Sequence, residues 1–142
     1  MSMIEKAEAI IEEFSMFDDW IDKYSYIIEM GEEVKPMTAE EKTKQNLISG
    51  CQSQLWLTVK NEEGKLYFRA DSDAIITKGI AHVLLRVING ETPVDILENN
   101  LSFLDKIGLK EHLSPTRSNG LNSMIKQIKL YALVFKTKSE QQ

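Results

Sequence analysis

The apolar residues of this chain change period twice, and that change limits the folds open to it. Ile4, Ala7, Ile10, Ile11 and Phe14 recur at helical spacing behind a Ser2-x-x-Glu5 capping box, which predicts a helix near 3–14. Asp18 and Asp19 precede Trp20, Tyr24, Ile27 and Ile28, a second helix running to about Met30 with Gly31 at its C′ position. Leu55, Leu57 and Val59 then alternate with Trp56, Thr58 and Lys60, and Leu66, Phe68 and Ala70 alternate with Tyr67 and Arg69. A period of two on either side of the turn residues Asn61-Glu62-Glu63-Gly64 predicts an antiparallel hairpin, 54–60 with 65–70. Such a hairpin is marginal in water alone, so it joins a third strand, for which 42–49 is a source, or packs on helices.

From Asp73 the helical period returns. Ile76, Ile80, Val83, Leu84, Val87 and Ile88 form one stripe that ends at Asn89-Gly90. Thr92-Pro93 opens a short helix to about Glu98, and Leu101, Leu104 and Ile107 mark another that stops at Gly108. Ser114-Pro115 opens a long terminal helix striped by Leu121, Met124, Ile125, Ile128, Ala132 and Phe135. Strands confined to the middle of the chain, with helices before and after, predict an α+β fold: an antiparallel sheet flanked by N-terminal and C-terminal helices. With 142 residues and no internal repeat, one domain over 1–142 is expected. Residues 32–49 read as a long polar connection, in which Thr38 and Glu41 could cap one turn. Connections of that length are often functional.

Composition narrows the chemistry. No apolar run approaches the roughly 20 residues that cross a bilayer, and the acidic N-terminus does not resemble a signal peptide, so a cytoplasmic protein is expected. A net charge of −5 with no basic cluster argues against nucleic acid and against an anionic membrane as partners. One cysteine cannot close a disulfide within the chain or build a multi-cysteine zinc site, and His82 and His112 are the only histidines. Chemistry therefore rests on one thiol, on carboxylates or on binding alone, and no bound metal is expected.

Cys51 is the first candidate. It sits in Ser49-Gly50-Cys51-Gln52-Ser53-Gln54, between the polar connection and the first strand, where Gly50 allows a close backbone approach. An accessible, stabilised thiolate there is a nucleophile, whereas free cysteine is also among the most buried residue types, and periodicity does not separate the two. His112, ahead of a helix N-terminus, is a proton acceptor or a partly exposed loop residue. Asp71-Ser72-Asp73 could hold a cation, but its simpler role is to cap the helix that follows. Arg117 stands in the first turn of the terminal helix, where a cation opposes the helix dipole and implies a partner elsewhere. Trp20 and Trp56 read as core.

Four stretches of the chain resemble, in order and spacing, the SufE family of sulfur-acceptor proteins. They are Trp20-Ile-Asp-Lys-Tyr-Ser-Tyr-Ile-Ile-Glu-Met-Gly31, Gln45-Asn-Leu-Ile-Ser-Gly-Cys-Gln-Ser-Gln-Leu-Trp56, Asp71-Ser-Asp-Ala-Ile-Ile-Thr-Lys-Gly79 and His112-Leu-Ser-Pro-Thr-Arg-Ser-Asn-Gly-Leu121. Ser114-Pro-Thr-Arg117 stands where the family often has Thr-Pro-Ser-Arg, and the tail past about Phe135 is unmatched. The resemblance implies a SufE-like α+β fold in which Cys51 is the acceptor cysteine, on a loop packed against the protein at rest. It implies that Cys51 takes persulfide sulfur from a SufS-like cysteine desulfurase, stimulates that enzyme, and delivers the sulfur to a SufBCD-like iron–sulfur scaffold. The chain would then be a sulfur carrier rather than an independent catalyst. It would need no cofactor of its own, because the pyridoxal phosphate belongs to the desulfurase. The resemblance also places Asp73 and Arg117 near the loop, Asp73 holding it closed and Arg117 docking the desulfurase or favouring the thiolate. Gln52 and Ser53 would line the site, and His112 would assist the proton balance or serve as a cap. A homodimer is left open. Two other readings compete: an adaptor that activates a desulfurase without carrying sulfur, and a redox-sensing thiol.

Overall fold

The computed structural model describes residues 2–48, 53–113 and 115–140, and only the backbone of Lys110, Pro115, Thr116, Arg117 and Glu140. The fold is α+β, as the change of period predicts. Helices α1 (Met3–Ser15) and α2 (Trp20–Glu32) come first, then strands β1 (Leu55–Glu62) and β2 (Lys65–Ser72). The remaining helices are α3 (Ile75–Ile88), α4 (Pro93–Glu98), α5 (Phe103–Lys106), α6 (Leu109–His112) and α7 (Pro115–Glu140).

Local chemistry sets several of these boundaries. The Ser2 side chain accepts from the Glu5 amide while the Glu5 carboxylate accepts from the Ser2 amide, so two orphan donors of α1 are satisfied. Asp19 caps α2 through the Asp22 amide, and Thr92 caps α4 through the Asp95 amide with Pro93 behind it. The hairpin turns on Glu63 (φ 53°) and Gly64 (φ 84°), the paired left-handed conformation that suits a two-residue loop between twisted strands. At the far end of α4, the Lys129 ammonium donates to the Ile96 and Asn99 carbonyls, and its burial holds its pKa below the ordinary lysine value.

Among the described residues, the segment offered as a source of a third strand, 42–49, makes a single bridge, Leu47 against Trp56. The polar sequence there has no alternating apolar face to sustain a ladder. On the opposite edge the fold finishes β2 with a side chain. The Asn89 amide group accepts from the Phe68 N–H and donates to the Phe68 carbonyl, and the Leu66 N–H continues the edge by donating to the Glu91 carbonyl. Each edge of the two-stranded sheet is thereby covered over part of its length.

α3 lies at the centre, against α1, α2, α7 and β2. Val83, Leu84 and Ile88 on it are wholly buried. Gly31, expected to end α2, lies inside that helix and does a different job. A Cβ on Gly31 would fall 2.8 Å from the Gly79 nitrogen, and one on Gly79 would fall 2.2 Å from the Ile27 carbonyl oxygen. The two glycines let the backbones of α2 and α3 meet.

Candidate functional site

Two sets of hydrogen bonds hold the ends of the connection that carries Cys51. On one side the Ile48 N–H donates to the Leu55 carbonyl at 2.8 Å, and the Leu57 N–H donates to the Asn46 carbonyl at the same distance. On the other side Gln54 is tied to the start of α3. Its N–H donates to the Asp73 carboxylate at 3.0 Å, while its carbonyl accepts from the Ser72 hydroxyl at 2.6 Å and the Asp73 N–H at 3.3 Å. Cys51 and Gln52, like Ser49 and Gly50, lie outside the described residues. Ser53, half-buried, is the first described residue after them.

Asp73 does not cap α3. The N-cap is Ala74, whose side chain makes no capping bond, and the hydroxyl of Ser72 accepts from the Ala74 N–H instead. The Asp73 carboxylate is turned to the amide of Gln54, where a local capping pattern cannot be told from a contact nineteen residues away.

Asp71 has a role that sequence reasoning missed. It is 2% exposed and accepts from the amides of Met37 at 2.9 Å and Ser72 at 2.8 Å, with the Lys78 ammonium at 3.3 Å and that of Lys42 at 3.6 Å. Burial alone would raise this carboxyl, but the Met37 and Ser72 amides and the Lys78 charge outweigh it and hold the pKa below the usual aspartate value. Its position opposite Trp56 explains the arrangement. Trp56 shares a strand face with Thr58 and Lys60 yet is only 8% exposed, with the Lys42 ammonium 5.1 Å from its ring centre. A large aromatic on the otherwise polar face was the available signal that the 33–48 connection covers that face.

His112 ends α6 with its ring stacked on Trp20, at 4.4 Å between centres and 12° between planes. Arg117 lies in the first turn of α7, and its side chain is outside the described residues. Of the sequence candidates, the fold therefore gathers Ser53 and Asp73 at the hairpin's open end and sets His112 against α2. Among the described residues no group of three His, Cys, Asp or Glu could hold a metal ion. Nor, among the described residues, is any helix long and apolar enough to cross a membrane.

A hypothetical protein from Thermus thermophilus, known from its solution structure, shares the fold with a TM-score of 0.76 over 93% of this chain and 96% of its own, at 22% identity. The family model of SufE, the Fe-S metabolism associated domain, matches residues 8–132, a span that includes Cys51 and every other candidate named above. The chain belongs to the SufE family, whose domain is associated with iron–sulfur metabolism.

Proposed function

We propose that this protein is a sulfur acceptor for a SufS-like cysteine desulfurase and hands the sulfur to a SufBCD-like scaffold for cluster assembly. The observation that carries the reading is the family match over 8–132, because it includes the chain's one cysteine. In the reaction the Cys51 thiolate attacks the outer sulfur of the desulfurase's cysteine persulfide. A new sulfur–sulfur bond forms to Cys51 Sγ, the bond inside the donor persulfide breaks, and the donor cysteine leaves as a thiolate. One persulfide is consumed and one is made, so no outside oxidant or reductant is needed. The pyridoxal phosphate chemistry that frees sulfur from cysteine stays with the donor.

The remaining roles follow the same reading. Asp73, through Gln54, holds the Cys51 connection in its resting position, with Ser53 and Gln52 lining the site. Arg117 docks the desulfurase or favours the thiolate. His112, stacked on Trp20, assists the proton balance or serves as a structural cap. A single cysteine also prevents the persulfide from being resolved as a disulfide within the chain.

The test is intact mass after incubation with a pyridoxal-phosphate cysteine desulfurase and free cysteine, with Cys51→Ser in parallel. Added sulfur on the wild type, removed by reductant and absent from the variant, is the expected result. Undiminished stimulation of the desulfurase by Cys51→Ser, with no sulfur on either protein, would establish an adaptor instead.

A further inference from the structure

A second concave site lies along the C-terminal half of α3, against β2 and the chain that follows α2. Its nearest α3 residue, His82, is seven positions beyond Ile75, the first residue of α3, about 10 Å along the helix at its ordinary rise. The groove is about 250 Å³, at the lower edge of ligand-site sizes and suited to one ring and a headgroup. Half-buried Val34, over the buried Phe68 and Leu85, gives it an apolar floor, and Lys35, Arg69, His82 and Arg86 bring nitrogen groups to it. In a chain of net charge −5, no Asp or Glu is among the described residues that line it.

The two guanidinium groups are held from outside. Arg86 donates through both terminal nitrogens to Glu13, at 3.1 and 2.7 Å, and Arg69 donates to Glu41 and, at 3.5 Å, to the Lys35 and Pro36 carbonyls. Neither glutamate lines the groove. An arginine carries five N–H donors in a rigid fork, and the Glu13 contacts use two of Arg86's, so the guanidinium is fixed in place with donors left over. Lys35 is exposed, and no ion pair holds it among the described residues. His82 is half-buried; its burial, then the neighbouring Arg86, holds its pKa below the ordinary histidine value, against an upward pull from Glu33. The other charged or titratable groups around this imidazole are Lys35 and Arg69 in the groove, and Glu13, Tyr26 and Glu29 on its far side.

We propose that this groove binds a small organic oxyanion, its phosphate or carboxylate headgroup on Lys35, Arg69 and Arg86 and its apolar body against Val34. The site is separate from the Cys51 chemistry and stands or falls independently of it.

The experiment is an NMR titration of the full chain, following the imidazole signals of its two histidines, with His82→Gln for assignment. Phenyl phosphate and benzoate are the probes, with benzyl alcohol as the uncharged control. Saturable binding of at least one anion, raising the His82 pKa by about one unit as an added negative charge should, is expected. The tighter of the two identifies the headgroup. Lys35→Glu, an exposed change, should weaken binding about tenfold with an unchanged circular dichroism spectrum, and Lys35→Arg should restore it. No saturable shift with either anion, or equal affinity in Lys35→Glu, would overturn the proposal. Benzyl alcohol moving the His82 pKa as much would overturn the headgroup assignment, and inorganic phosphate binding as tightly as phenyl phosphate would overturn the apolar floor.

Discussion

The Asp73 carboxylate accepts the Gln54 N–H at 3.0 Å, joining the start of α3 to the last residue before β1. Gln54 is three positions from Cys51, so this bond sits at the C-terminal foot of the connection that carries the thiol. Removing the acceptor with Asp73→Ala should free that foot. A hydrogen bond to a charged group contributes about 1.5–3 kcal/mol when well shielded and less at an exposed carboxylate, so Cys51 alkylation should speed up severalfold. Asp73→Asn, which keeps a side-chain oxygen, should restore most of the wild-type rate. Iodoacetamide labelling followed by mass reads this directly, and equal rates in all three proteins would remove Asp73 from the role.

Gly79 and Ile27 supply the second expectation. With only 2.2 Å between an added methyl and the Ile27 carbonyl oxygen, Gly79→Ala must push α2 away from the central helix. The obstacle is backbone, so no rotamer change relieves it. Overpacking of this kind costs about 1–3 kcal/mol and more when the backbone itself must shift, and a urea midpoint should report the upper part of that range. Gly64→Ala has open space around it, and its cost should come from the positive φ alone, about 1 kcal/mol.

Asp71 ties three segments together: the 33–48 connection through Met37 and Lys42, the end of β2, and α3 through Lys78. Asp71→Ala leaves the Lys78 ammonium, itself mostly buried, without its carboxylate, and should cost about 3–5 kcal/mol in a chemical denaturation. Asp71→Asn keeps an acceptor for the Met37 amide and should cost less. A milder loss from Ala than from Asn would show that an acceptor for the Met37 amide is not what the position requires.

Acid should destabilise the fold in two windows. His82 titrates below its unfolded value because burial and Arg86 disfavour its charged form, so the unfolded chain takes the proton first. Its contribution is complete above the ordinary histidine pKa and is lost as pH falls through that value toward the folded one. Asp71 follows at lower pH, its contribution complete above the ordinary aspartate pKa and lost as pH falls through the depressed folded value. Urea midpoints measured across pH should decline in both windows. His82→Gln should flatten the first, and Asp71→Asn should shrink the second, to which Glu13, held low by its hydrogen bonds from Arg86, also contributes.

His112→Ala removes the ring stacked on Trp20 and should change tryptophan emission, at a cost of about 1 kcal/mol. If sulfur loading of Cys51 is unaffected, the histidine is structural.

The element types were legible along the chain, because periods of 3.6 and 2 are local properties and the Ser2, Asp19 and Thr92 caps lie within three residues of the amides they satisfy. The family was legible too, through blocks of residues whose order survives without coordinates. What those residues touch was settled only by the folded chain. Gly31 reads as a helix stop until the backbone of α3 is set against it, and Asp73 reads as a cap until Gln54 is brought alongside. Asp71 reads as part of a helix-capping run until the connection folds over Trp56, and the Lys35, Arg69 and Arg86 cluster does not exist along the chain at all. Each depends on contacts between distant segments, and a local pattern carries no information about which distant backbone will bury it.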